Sequence, residues 1–174
     1  MPNLVDIVEM AEALESKAVF VAPERCVAVR NRHSSCKKCS EACPVGAVSV
    51  GNNVVSIDAG ACMACGACTT VCPTEALITL EPLDEDLASA IADATLAADG
   101  LSVFACARMA ARRQGDPDRY ATVPCLARME ESVLLALVAR GVQDVVLVDG
   151  NCATCKHRGC VPGIEATVGS ANAL

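Results

Sequence analysis

The chain has 174 residues, with 14 Lys and Arg against 21 Asp and Glu, a formal charge of −7 and a pI near 4.8. That length predicts one medium domain or two small ones, and the acidic balance speaks against nucleic acid, whose phosphates need a basic surface. Apolar residues make up 53% with no Trp, one Tyr and two Phe, so the core must be built from small side chains (30 Ala, 22 Val), and disorder is excluded.

Residues 3–16 read as an amphipathic helix, with Leu4, Val8, Ala11 and Leu14 opposite Asp6, Glu9 and Glu12. Met1 to Ser16 carry four acids and no base, the opposite of a secretory leader. No apolar run reaches the ~20 residues that a membrane span needs, so the expectation is a cytoplasmic protein without membrane insertion. Thirteen Cys in that compartment are not a disulfide framework, because cytosolic thiols stay reduced. They point instead to metal ligands or redox centres.

Residues 18–22 (AVFVA) predict a short strand, and 48–58 a hairpin turning on Gly51-Asn52-Asn53. Around that hairpin, eight Cys lie in two similar segments, each closing on Cys-Pro and a small apolar run: Cys43-Pro44-Val45-Gly46-Ala47 and Cys72-Pro73-Thr74-Glu75-Ala76. After Pro82 comes an acidic helix over 84–99, with Leu87, Ile91, Ala94 and Ala98 on one face and Gly100 as its stop. Strands follow at 101–105, 121–124 and 144–148, with a helix over about 128–140. Apolar strands interleaved with a helix predict a small parallel α/β unit. The first hundred residues carry net −8 and the rest net +1, which fits two different units and suggests a basic docking surface on a partner of the first.

The second cysteine run is Cys62-x2-Cys65-x2-Cys68-x3-Cys72-Pro73. Three thiolates spaced by two residues can wrap one cubane in a tight loop, while the fourth, read here as starting a helix, points elsewhere. Gly66 suits a loop bent closely round an inorganic core, where a Cβ would obstruct. Zinc also uses CxxC pairs, but four Cys with a terminal Cys-Pro make a sharper pattern. The first run reads His33-x2-Cys36-x2-Cys39-x3-Cys43-Pro44, with His33 in the first ligand position. Either Cys26 completes this set across an inserted basic loop, or His33 ligates, or the cluster has three irons or is absent. Thiolate is the better cubane ligand, which favours Cys26.

Over residues 18–80 these motifs resemble the bacterial ferredoxins that hold two [4Fe-4S] clusters. The resemblance implies crossed ligation: cluster I on Cys26, Cys36, Cys39 and Cys72, cluster II on Cys62, Cys65, Cys68 and Cys43. Metal binding would then be part of folding, since the crossing ties both segments together.

Five Cys remain. Cys106, Cys125 and Cys152 each follow a predicted strand, and parallel strands would deliver all three to one carboxyl edge, where α/β units bind ligands. Cys155 and Cys160 lie in the next loop, and Arg108, Arg128, Lys156, His157 and Arg158 flank them as balancing cations. His157 is read as an exposed cation and Met129 as core. Residues 100–162 resemble the delta subunit of methyl-viologen-reducing hydrogenase, through Phe104-Ala-Cys106, Val123-Pro-Cys125 and Val148-Asp-Gly-Asn-Cys152. Met109 stands where that family often has another Cys. The resemblance implies a third iron–sulfur cluster, [2Fe-2S] or [4Fe-4S]; the expected ligands are Cys106, Cys125 and Cys152, with Cys155 ahead of Cys160 as the fourth. A redox dithiol, zinc or structural thiols are the alternatives.

No nucleotide-binding motif and no catalytic constellation stands out. The expected fold class is α+β: N-terminal helix 1–17, a two-cluster ferredoxin-like domain 18–80, linker helix 81–99, and a small α/β cysteine-rich domain with a parallel sheet, 100–174. The expected function is relay of low-potential electrons to redox partner proteins, as in hydrogenase or heterodisulfide-reductase complexes. The alternative is a small oxidoreductase with a catalytic cluster or dithiol in the second half.

Overall fold

The computed structural model describes residues 18–113 and 115–174. The helix expected over residues 3–16 lies outside them. In the first half, β1 (Val19–Val21) pairs antiparallel with β4 (Leu77–Thr79), aligning Val19 with Thr79 and Val21 with Leu77. Between them run α1 (Val27–Arg30), α2 (Lys38–Ala42), the hairpin β2 (Val48–Gly51) and β3 (Val54–Ile57), and α3 (Ala67–Thr70). The hairpin turns on Asn52 and Asn53, both with positive φ (52° and 59°), the mirror-image turn whose twist matches that of the strands.

The two cysteine segments fold alike. Ala47 N–H donates to Cys43 Sγ and Ala76 N–H to Cys72 Sγ, both at 3.2 Å. Gly46 (φ 65°) and Glu75 (φ 51°) make the same left-handed turn two residues after each Pro. Cys43 and Cys72 do not start helices, contrary to the sequence reading. The helices Lys38–Ala42 and Ala67–Thr70 end just before them. The reason is the following proline, which pushes the preceding residue out of helical geometry; Cys43 is extended, with ψ 111°.

In the second half, β5 (Ser102–Cys106), β6 (Ala121–Val123) and β7 (Val145–Val148) form a parallel sheet in the order β6-β5-β7. Phe104, in the central strand, and Val123 beside it are fully buried. One core joins them to Met129, to Leu134 and Leu137, and to Leu87, Ile91 and Ala94. The last three belong to α4 (Asp84–Ala97), so the helix read as a linker lays its apolar face on this sheet. Helix α5 (Ala107–Ala110) follows β5 directly. The helix expected over 128–140 is shorter, α6 (Glu131–Ala139), because Leu126–Arg128 form a separate 3-10 turn after Cys125. A further helix, α7 (Val161–Ala171), closes the chain; Gly163 and Gly169 hide it from propensity, although Val161, Ile164, Val168 and Ala171 keep helical spacing. Among the described residues no helix is long and apolar enough to cross a membrane.

Candidate iron–sulfur sites

Seven of the eight N-terminal thiols gather in one core, and the eighth, Cys65, packs in a separate cluster with Cys125 and Cys160. Cys26, Cys39 and Cys68 are buried in it, and Cys36, Cys43, Cys62 and Cys72 pack against it. Burial pushes the Cys39 thiol up to about 11, and the neighbouring Cys72 and Cys26 add to the rise despite a backbone hydrogen bond at Ser40. Burial likewise pushes Cys68 up to about 12, reinforced by Cys65, Cys43, Cys62 and Cys39. Thus Cys39 neighbours Cys72 of the other segment, and Cys68 neighbours both Cys43 and Cys39 of the first. Cys43, Cys62, Cys65 and Cys68 also line one small cavity with Val19 and Val48. Burial raises Cys72 too, but the backbone N–H groups of Thr74 and Ala76 outweigh it and hold the thiol below its ordinary value.

At the start of the first segment, Cys26 is 7% exposed and inside this core, whereas His33 is exposed and takes a hydrogen bond from Arg32 Nε at 3.2 Å. The loop connecting them is basic. Residues 25–40 hold Arg25, Arg30, Arg32, Lys37 and Lys38 and no acid, and all five bases are exposed. Exposed acids, Glu24 and Glu41, flank this run on either side.

The second half brings its thiols to one edge as the strand pattern predicts. Cys106 ends β5 opposite Val123, Cys125 lies two residues beyond β6, and Cys152 follows β7. Cys106, Cys125, Cys152 and Cys155 line a cavity of about 320 Å³ with Arg108 and Lys156, a volume at the lower end for cofactor sites. Burial raises Cys152, and Asp149, Cys125, Cys106 and Cys155 push in the same direction. Arg108 closes the loop by donating to Asn151 O at 3.0 Å and Thr154 Oγ1 at 2.9 Å. A larger cavity of about 750 Å³, between α6, β7 and α7, touches only Cys152 of the thiols.

Cys160 stands apart from that cavity. It is 4% exposed and packs in a separate cluster with Cys65, Cys125 and Ala127. Burial against Cys125 and Cys65 keeps the proton on Cys160, and sharing that one proton lowers both partners. One thiol therefore touches a cysteine of each half. Other contacts follow the same seam. His157 Nε2 lies 3.1 Å from Met63 O, and Thr70 Oγ1 donates to Ala127 O at 3.4 Å. A Cβ on Gly159 would meet Pro44 Cβ at 2.7 Å. His157 is 8% exposed, correcting its reading as an exposed cation; burial lowers its pKa, so the ring stays neutral.

Gly66 is also explained differently than expected. It has φ 81°, and a Cβ there would meet Arg128 Cδ at 2.8 Å. The second half, not an inorganic core alone, crowds this glycine. Arg128 is 3% exposed and paired with Asp84. Sequence reading placed Arg128 among the flanking cations; an Arg interrupting the apolar run Leu126-Ala127-Arg128-Met129 was the only signal of its burial.

The donor chemistry fits iron–sulfur clusters: thiols in groups of four, with backbone N–H groups aimed at sulfur. Among the described residues no three His, Cys, Asp or Glu converge as donors to one ion. A cluster spaces its thiolates more widely, since iron and sulfide stand between them.

Residues 34–76 match the family model of the 4Fe-4S dicluster domain. A subunit of the ion-translocating oxidoreductase complex of Methanosarcina acetivorans is 48% identical over 42 residues, covering 24% of this chain and 16% of that protein. A ferredoxin of Mycolicibacterium smegmatis is 40% identical over 58 residues, 33% of this chain and 50% of the relative. Ferredoxin-3 of Chlorobaculum tepidum is 39% identical over 49 residues, 25% of this chain and 79% of the relative. The chain thus spans half or less of the first two relatives. No solved structure matches it.

Proposed function

We propose a three-centre electron relay, on the premise that the chain belongs to the ferredoxin family through its 4Fe-4S dicluster domain and is an iron–sulfur electron carrier. Cluster I is read on Cys26, Cys36, Cys39 and Cys72, and cluster II on Cys43, Cys62, Cys65 and Cys68. The observation that carries this reading is that Cys43 of the first segment lines one small cavity with Cys62, Cys65 and Cys68 of the second. The burial of Cys26 beside Cys39, with His33 outside, supports Cys26 as the remaining ligand of cluster I. A third centre, [2Fe-2S] or [4Fe-4S], is read on Cys106, Cys125, Cys152 and Cys155, supported by their shared cavity.

One-electron exchange is the chemistry such clusters supply when bound. The chain's own part is to fix spacing, exclude water and place charge. Cys160 packs against Cys65, a proposed cluster II ligand, and Cys125, a proposed third-centre ligand, which sets those two sites side by side. A catalytic role for Cys160 as a substrate-facing thiol is disfavoured, since at 4% exposure it meets no solvent.

The relay serves a larger oxidoreductase complex, a reading that the likeness to an oxidoreductase complex component supports. Its partner docks on the basic loop 25–40 over cluster I and presents carboxylates, because the cluster II loop is covered by the second half. With ferricyanide and cobalt(III) hexaammine as oxidants of the reduced protein, the anion should react more slowly as salt rises and the cation faster. The net charge of −7 alone predicts the reverse. The centres are tested by iron and sulfide analysis with low-temperature EPR on oxygen-free protein. About eight irons for two cubanes and two to four more for the third centre are expected. A total near eight would remove the third centre, and one near four the two-cluster reading.

A further inference from the structure

We propose that Arg128 sets the reduction potential of cluster II from across the seam, by its buried positive charge and by the Nε–H group. Arg128 is a positioning residue for that cluster, not a ligand. The inference rests on the reading of Cys43, Cys62, Cys65 and Cys68 as the cluster II ligands.

A guanidinium is expensive to remove from water unless every donor finds an acceptor or an opposite charge. Arg128 is 3% exposed, yet among the described residues its one ion pair joins a single terminal nitrogen to Asp84, whose side chain is 71% exposed. Its Nε is buried, and among the described residues it has no hydrogen-bond partner. A guanidinium presents five N–H donors in a fixed plane, so the orphan Nε–H cannot turn away without breaking the bond to Asp84. The described residues leave this donor unsatisfied, and the segment adjoining it is the loop of Cys65, Gly66 and Cys68.

The stem shows where the donor stands. Arg128 Cδ, the atom bonded to Nε, lies 2.8 Å from where a Cβ of Gly66 would be, with its Cβ at 3.1 Å and Cα at 3.2 Å. Gly66 sits between Cys65 and Cys68. The bond from Thr70 to Ala127 O holds the residue before Arg128 against α3. Glu130 and Asp84 are the acids in its field. Sulfide and thiolate sulfurs accept hydrogen bonds, and both such bonds and nearby positive charge favour the reduced, more negative form of a cluster.

The repeat supplies an internal comparison. Lys37 occupies the place of Gly66 in the first segment, between Cys36 and Cys39, and is open to solvent. Cluster I therefore has no buried cation at the matching position, and cluster II should be the easier of the two to reduce.

The test is an EPR-monitored redox titration of the oxygen-free holoprotein with Arg128→Gln, Arg128→Lys and Asp84→Asn. Arg128→Gln should lower the cluster II potential and leave cluster I in place. Arg128→Lys, keeping charge but losing Nε–H, should fall between. Asp84→Asn should raise the cluster II potential, because the cation is no longer partly neutralised. A merely structural role gives no opposite signs. The proposal is overturned if both changes move cluster II the same way, if neither moves it, or if cluster I moves equally. Should Arg128→Gln lose iron, the exposed Asp84→Asn still decides by its sign. Fewer than two cubanes in the unaltered protein would instead sink the underlying ligand reading.

Discussion

Replacing Gly66 by Ala tests whether the two halves are packed as tightly as the seam implies. Gly46 is the control, since it also has positive φ (65°) but open space where its Cβ would go. The equivalent turn position in the second segment is Glu75, a non-glycine at φ 51°, so a side chain is tolerated there. Gly46→Ala should therefore cost only the left-handed backbone penalty, about 1–2 kcal/mol. Gly66→Ala carries the same penalty at φ 81° and adds a Cβ 2.8 Å from Arg128 Cδ and 3.2 Å from its Cα. The Cδ atom can swing away with the side chain, but the backbone of Arg128 cannot, so part of the overlap persists. Overpacking of this kind adds about 1–3 kcal/mol, for a total of roughly 2–5 kcal/mol. At this chain length each kcal/mol lowers Tm by about 2–4 °C. The assay is thermal bleaching of the brown absorbance without oxygen, at one scan rate for both variants. Gly66→Ala should melt clearly below Gly46→Ala, and Gly66→Ala/Arg128→Ala should recover part of the difference. Equal melting of the two single variants would refute the close approach of Arg128.

Cys26→Ala should lose about four irons and the cluster I EPR signal, whereas His33→Ala should keep both; the opposite pattern would give the ligand position to His33. Cys106→Ala should remove only the irons of the third centre, about two to four, with both ferredoxin signals unchanged in EPR. Cys160→Ala should retain the full iron content, because this thiol lies outside the cavity formed by the other four; loss of the third centre's iron would make it a ligand instead. Phe104→Ala, in a fully buried position of the central strand, should destabilise the second half by about 3–5 kcal/mol in anaerobic denaturant titrations.

Local chemistry made much of the protein legible. The spacing of Cys62, Cys65 and Cys68 suits a tight loop that turns three thiols onto one cavity, Asn52-Asn53 follows from the twist of a hairpin, and the sheet of β5, β6 and β7 from runs too apolar to face water. The edge position of Cys106, Cys125 and Cys152 followed from strand ends alone. By contrast, Cys160 could not be separated from Cys155 by spacing, since both sit in one loop and only packing sends one to the cavity and the other to Cys65.

Through residue type and short-range pattern, the sequence by itself determined the thiol-rich chemistry, the repeated Cys-Pro segments and a parallel sheet in the second half. Tertiary structure alone decided the burial of His157 and Arg128 and the crowding of Gly66. Those features depend on contacts between residues as far apart as Met63 and His157, and no local rule carries charge or burial across that distance. The fold, by closing the second half over one cluster loop and leaving the other open, makes two nearly identical segments unequal.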